Sequence, residues 1–276
     1  MRAIDLHVHS NVSDGTDTPG ALAALAAAKG LRAFALTDHD SFDGLDEARK
    51  VAELAGVGFL PGVEMTTDFR EVGVHLLGYN CHPDDEALLH AFEYNIRQKN
   101  GRMPKLLAKL AALGMELSEA EVRAFAPAHA AIQRPHVADA MVAKGYVARR
   151  DEAFEKYIGE GRPAYVGHAA TALATAIGLV FEAGGVPVLA HPWARQSRDV
   201  LTAEVIASLV PFGLAGLEID HPDHDGPTRA ELRALAGELG LFATGGSDYH
   251  GAGKVGHGLG TESTAFEVYS GTLLGV

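Results

Sequence analysis

In Ala3-Ile4-Asp5-Leu6-His7-Val8-His9, apolar Ile4, Leu6 and Val8 alternate with polar Asp5, His7 and His9. A period of two predicts a strand with both imidazoles on one face. Thr18-Pro19 then reads as an N-cap followed by a first-turn proline, Leu22 to Ala28 as an alanine-rich helix, and Gly30 as its stop before a strand over Ala33 to Thr37. A second helix is predicted over Leu45 to Ala55. A strand over Gly58 to Val63 ends on Glu64, and another over Val72 to Leu77 carries His75. The alternation resumes with a helix from about Thr171 to Ala183, a strand Val186 to Ala190 ending on His191, a helix Ala203 to Val210 and a strand Leu214 to Ile219. A last helix, Thr228 to Leu239, precedes a strand Leu241 to Thr244 and Asp248. Repeated βα units with polar residues at the strand ends predict an α/β fold of (β/α)-barrel type, with the site on the carboxyl face of the strands. Between residues 84 and 165 helix follows helix, which predicts an all-helical insert (84–165) in a barrel formed by 1–83 and 166–276.

The polar strand ends hold six histidines and three carboxylates: His7, His9, Asp14, His39, Glu64, His75, His191, Asp248 and His250. Imidazole and carboxylate together suit borderline divalent ions such as Mn, Fe and Zn. Nine donors exceed what one ion takes, so two or three divalent ions are expected. Among the 14 histidines, His82, His90, His129 and His257 lie outside these motifs and read as surface or core residues.

Composition narrows the function. With 47% hydrophobic and 21% charged residues the chain is an ordinary globular protein, and its net charge of -13 argues against a general nucleic-acid coat. The single cysteine, Cys81, excludes an internal disulfide. No apolar run reaches the roughly 20 residues of a membrane span, and the first strand begins too early for a secretory leader, so a cytoplasmic protein is expected. Positive charge concentrates in the helical segment, in Arg97, Lys99, Arg102, Lys105, Lys109, Arg134 and Arg162. A charge run is usually a solvated face, but the planar guanidinium of Arg102 or Arg134 is suited to bidentate phosphate contact.

The motifs Asp5-Leu6-His7-Val8-His9, Ser13-Asp14-Gly15, Thr37-Asp38-His39-Asp40, Gly62-Val63-Glu64, His75, Ala190-His191-Pro192 and Ser247-Asp248-Tyr249-His250 resemble the motif set of the PHP (polymerase and histidinol phosphatase) family over almost the whole chain. Gln133-Arg134-Pro135-His136 and Gly161-Arg162-Pro163 in the helical segment resemble its subgroup of 3',5'-nucleoside bisphosphate phosphatases, also known as RNase AM. The resemblance implies a distorted (β/α)7 TIM-like barrel. It implies His7, His9, Glu64 and Asp248 around one ion, Glu64, His75 and His191 around a second, and Asp14, His39 and His250 around a third. A hydroxide held between ions by Glu64, Asp248 and His191 would attack phosphorus. Arg102, Arg134 and His136 would meet the substrate. Asp38 is expected either to orient an imidazole or to cap a strand end. In two departures from the subgroup, Pro104 is expected to break the helix that carries Arg102, and Arg162 stands where lysine is common.

The activity implied is removal of the 3'-phosphate from a nucleoside 3',5'-bisphosphate, with stepwise 5'-to-3' trimming of short RNA by the same constellation. The partner implied is a small phosphorylated nucleotide or short RNA, with no membrane and no obligate protein partner. The alternatives are a cyclic phosphodiesterase, a histidinol-phosphate-type phosphatase, and a non-catalytic metal-stabilised scaffold. The sequence assigns no role to the segment after about Gly260.

Overall fold

The computed structural model describes residues 3–126, 132–167, 169–194 and 197–273; His129 lies outside them. The elements are β1 (Ile4–Val8), α1 (Pro19–Ala28), β2 (Ala33–Leu36), α2 (Leu45–Ala55), β3 (Gly58–Phe69), β4 (Val72–Tyr79), α3 (Glu86–Ala112), α4 (Glu119–Arg123), α5 (Arg134–Ala143), α6 (Arg150–Ala153), β5 (Thr171–Ala172), α7 (Leu173–Glu182), β6 (Val186–Leu189), α8 (Ala203–Leu209), β7 (Gly216–Asp220), α9 (Gly226–Leu239) and β8 (Phe242–Gly245). The strands run in the order β1-β2-β3-β4-β6-β7-β8, with β5 added at the far end of β3. The seven strands form a nearly closed barrel. His9 N–H donates to Tyr249 O at 2.8 Å beside β1, and Thr264 N–H donates to Ile4 O at 2.8 Å. The segment after Gly260 thus helps to seal the gap between β1 and β8.

Local chemistry sets the elements as expected at many points. Thr18 Oγ1 accepts from Ala21 N–H at 3.1 Å at the start of α1, and α2 ends on Gly56 in a left-handed conformation. The βα repeat is interrupted at β4, which runs antiparallel to both β3 and β6. The reason is the two-residue turn Arg70-Glu71, with φ of 54° and 67°. Positive φ at both central residues makes a tight hairpin turn, which returns the chain alongside itself. β3 accordingly continues past Glu64 to Phe69.

Pro104 also departs from expectation: α3 runs unbroken through it. A proline inside a helix removes one hydrogen bond and crowds the preceding turn. Here tertiary packing overrides that cost, because Arg102, Met103, Leu106 and Leu107 are buried on both sides of Pro104. The helices between β4 and β5 gather an apolar cluster from Met103, Leu106, Leu110, Val137, Met141 and Ile158. The barrel interior is filled by Ile4, Leu6, Ala33, Ala35, Leu60, Leu77 and Tyr79, and Tyr79 O–H donates to Leu6 O at 2.9 Å.

Candidate metal centre and active site

The expected strand-end residues converge on one face of the barrel. His7 lies on β1 and His9 just beyond it, His39 follows β2, Glu64 is within β3, and His75 is on β4 beside Thr66. His191 follows β6, and Asp248 and His250 follow β8. Because β4 is reversed, His75 reaches this face from the start of its strand rather than the end.

Three groups of donor atoms result. Glu64 Oε2 lies 3.3 Å from His7 Nε2 and 3.2 Å from His9 Nε2, and Asp248 Oδ1 lies 3.6 and 3.4 Å from the same nitrogens. Glu64 Oε1 lies 2.8 Å from His75 Nδ1 and 3.0 Å from His191 Nε2. Asp14 Oδ1 is 3.3 Å from His250 Nε2, and Asp14 Oδ2 is 3.9 Å from His39 Nε2. The two oxygens of Glu64 therefore face different groups, an arrangement that would suit a carboxylate shared by two ions.

The donor set fits divalent cations on the chemistry of its own atoms. His7 Nε2 and His9 Nε2 face each other at 3.1 Å. Buried His39 Nδ1 makes no hydrogen bond among the described residues, although Glu64 Oε2 is 3.3 Å away. A buried polar atom without a partner is costly, and a cation held at Nε2 would put the ring proton on Nδ1, facing Glu64 Oε2, and remove that cost. Burial opposes ionisation of Asp14, Glu64 and Asp248, but facing imidazoles and, for Asp248, the Lys254 ammonium hold all three well below the ordinary carboxylate range. Burial pushes His39 down to about 3 and His191 to about 4, favouring neutral imidazoles. At His9 burial is outweighed by Asp248 and Glu64, and the ring is pushed up to about 9.

Backbone strain marks the same loops. His191, at φ 27°, and Asp248, at φ 50°, lie in the left-handed region without being glycine, a cost of order 1–3 kcal/mol each. Asp38 ties down the loop carrying Asp14, accepting from Ser10 N–H at 2.8 Å and from the hydroxyls of Ser10 and Ser13 at 2.6 Å each. Its hydrogen bonds go to the loop, and the Ser13 hydroxyl it accepts from lies 3.4 Å from His9 Nδ1, so both expected roles keep a contact.

A cavity of about 500 Å³ opens over these groups, walled on the helical side by Lys99, Arg102, Arg134 and Arg150 and on the barrel side by Lys254. Burial, with the charge of Arg134 beside it, pushes the Arg102 guanidinium down to about 9. Lys99 is committed to Asp40 at 2.7 Å and Arg150 to Asp139 at 2.5 Å. Arg162 is not among the wall residues. His136 is buried and not among the wall residues, its Nδ1 accepting from Gln133 N–H at 3.0 Å.

Two buried residues of the centre escaped the sequence reading. Glu218 on β7 lies 2.9 Å from His7 Nδ1 and accepts His191 N–H at 2.9 Å. His221 lies 3.3 Å from Asp248 Oδ2. Alternation in Gly216–Asp220 was the available signal for Glu218, and the histidine-rich stretch His221-Pro222-Asp223-His224 for His221.

Comparison with known proteins agrees with this geometry. The PHP domain model matches residues 5–98. The 3',5'-nucleoside bisphosphate phosphatase of Chromobacterium violaceum is 33% identical over 260 residues, 94% of this chain and 91% of the relative. The chain belongs to the PHP family. Its PHP relatives include a 5'-3' exoribonuclease of Haemophilus influenzae, 33% identical over 89% of each chain. A phosphoribosyl 1,2-cyclic phosphate 1,2-diphosphodiesterase of Eggerthella lenta is 32% identical over 92% of this chain and 96% of the relative. Among solved structures, a protein of Bifidobacterium adolescentis designated a metal-dependent phosphoesterase superposes with a TM-score of 0.94 at 32% identity, over 99% of this chain and 96% of that one. Membership places the chain among metal-dependent phosphoester hydrolases. No helix of the described residues is long and apolar enough to cross a membrane.

Proposed function

We propose that this PHP protein removes the 3'-phosphate from nucleoside 3',5'-bisphosphates, leaving the 5'-monophosphate, with two or three divalent ions of the Mn, Fe or Zn kind. The observation that carries the reading is the pair Arg102 and Arg134 across one cavity from the three donor groups. His7, His9, Glu64 and Asp248 would hold one ion, Glu64, His75 and His191 another, and Asp14, His39 and His250 a third. Such ions supply water of lowered pKa and neutralise charge on phosphoryl oxygens. Hydrolysis forms an O–P bond from water and breaks the P–O3' bond.

The chain's own residues do the recognition. Arg102 and Arg134 bring two guanidinium groups to one stretch of wall, where a second phosphate would accept charge-assisted hydrogen bonds. A substrate with one phosphate at the metals and another at the arginines fits this layout better than a cyclic monophosphate or histidinol phosphate. Short RNA bearing a 5'-phosphate fits it as well. The reading includes a barrel (1–83 and 166–276) capped by a helical insert (84–165), supported by the insert's own apolar cluster and its share of the cavity wall. It also takes the protein to be cytoplasmic.

The test is phosphate release from adenosine 3',5'-bisphosphate by Mn-loaded protein, with the nucleotide product identified by chromatography beside cyclic AMP and histidinol phosphate. The expected products are AMP and phosphate. Turnover of a control substrate with none of the bisphosphate would overturn the substrate assignment and leave the metal chemistry standing.

A further inference from the structure

We propose that His221 is a positioning residue that holds Asp248 by its Oδ2, so that Oδ1 alone is presented to the imidazole cluster. The inference rests on the reading of Asp248 as a metal ligand. The two carboxylate oxygens have different neighbours. Oδ1 lies 3.6 Å from His7 Nε2, 3.4 Å from His9 Nε2 and 3.4 Å from His250 Nδ1. Oδ2 faces His221 Nε2 at 3.3 Å from the buried side and the Lys254 ammonium from the cavity side.

The protonation of His221 follows from its other nitrogen. Asp223 backbone N–H donates to His221 Nδ1 at 3.0 Å. A nitrogen that accepts carries no proton, so in the neutral ring the proton sits on Nε2. That proton points at Asp248 Oδ2. The same amide argues against His221 as a metal ligand itself, although it is close enough to His7 and Glu218 to form a donor triad with them. Ligation through Nε2 would move the ring proton to Nδ1, against the Asp223 N–H.

The loop that carries the ring is tied down by hydrogen bonds. Arg229 donates to His221 O at 2.8 Å and to His224 O at 3.0 Å, and is anchored on Glu262 at 2.7 Å. Groups that orient ligating residues from outside the ligand set matter to affinity nearly as much as the ligands do.

Two conservative variants separate positioning from loop support. His221→Asn keeps an acceptor for the Asp223 amide but cannot reach Asp248. His221→Gln reaches Asp248 with an amide N–H but gives up the Asp223 contact. Calorimetric titration with Mn alone should show His221→Asn losing about 10- to 100-fold in affinity at one site, with His221→Gln close to wild type. The metal-free variants should share one thermal midpoint. Equal affinities for the two variants, or the reverse order, would overturn the inference. Asp248→Asn serves as the reference. If it loses Mn while His221→Asn keeps it, only the role of His221 falls; if it binds Mn like wild type, the ligand reading falls and takes this inference with it.

Discussion

Glu218 Oε1 stands 2.9 Å from His7 Nδ1, and the second oxygen of Glu218 accepts the backbone N–H of His191 at 2.9 Å. One buried carboxylate therefore takes the Nδ1 side of His7, leaving Nε2 to face the cluster, and anchors the strained backbone of His191. Glu218→Ala should lower metal affinity or activity by about 10- to 100-fold. It should also cost roughly 1–3 kcal/mol of stability through donors left unsatisfied. Glu218→Gln, which keeps an acceptor, should lose far less. Metal titration and chemical denaturation of both variants check this, and equal losses would show that charge rather than orientation matters.

Lys99 on α3 and Asp40 after β2 form a buried ion pair at 2.7 Å, and Asn95 donates to the same carboxylate at 2.8 Å. Lys99→Met leaves Asp40 charged and uncompensated, and should cost about 3–5 kcal/mol in denaturant unfolding. The double variant Asp40→Asn with Lys99→Met should recover much of that. Burial alone would raise the Asp40 carboxyl, but Lys99 and Asn95 hold it below its ordinary value. A carboxyl depressed in the folded state stabilises above its unfolded value, about pH 4, and that contribution is lost as pH falls through the folded value. Wild type should therefore lose stability more steeply below about pH 4 than the double variant.

The strand-end donor residues were legible because each is a chemically unusual residue at the end of an apolar run. Glu218 was not, since between Leu217 and Ile219 a lone carboxylate reads as the outward face of a strand; only barrel closure makes that face interior. The reversal of β4 was hidden for a related reason. Its turn uses Arg70 and Glu71 rather than the glycine or asparagine that usually announces positive φ. Pro104 misled because a local rule was applied where burial of Met103 and Leu106 decides the outcome. His136 was proposed for the substrate from its neighbours in sequence; the fold adds a second role, its Nδ1 closing the first turn of α5.

Cys81 is 7% exposed, and burial pushes its thiol up to about 12. Only the thiolate reacts, so at pH 8 labelling by an aromatic disulfide should be roughly a thousandfold slower than for a free thiol. Modification should then follow global unfolding and can report it in denaturant. Stoichiometric labelling of native protein within minutes would show that the β4–α3 loop opens on its own.

Arg134 lies over two rings, with Cζ 5.3 Å from the Tyr165 centroid and 5.7 Å from that of Phe154. The rings pack against a guanidinium that lines the same cavity as the donor groups. If Arg134 reads the second phosphate, its contribution appears only with substrates that have one. Arg134→Ala should raise KM for the bisphosphate by about 10- to 100-fold, equivalent to the roughly 1.5–3 kcal/mol of a hydrogen bond to a charged group, with less than about a threefold change for an aryl phosphate. Arg134→Lys should recover only part, because an ammonium keeps the charge but not the planar fork. Equal losses on both substrates would instead make Arg134 a support for the fold or the metals, since a residue acting there affects every phosphate ester alike.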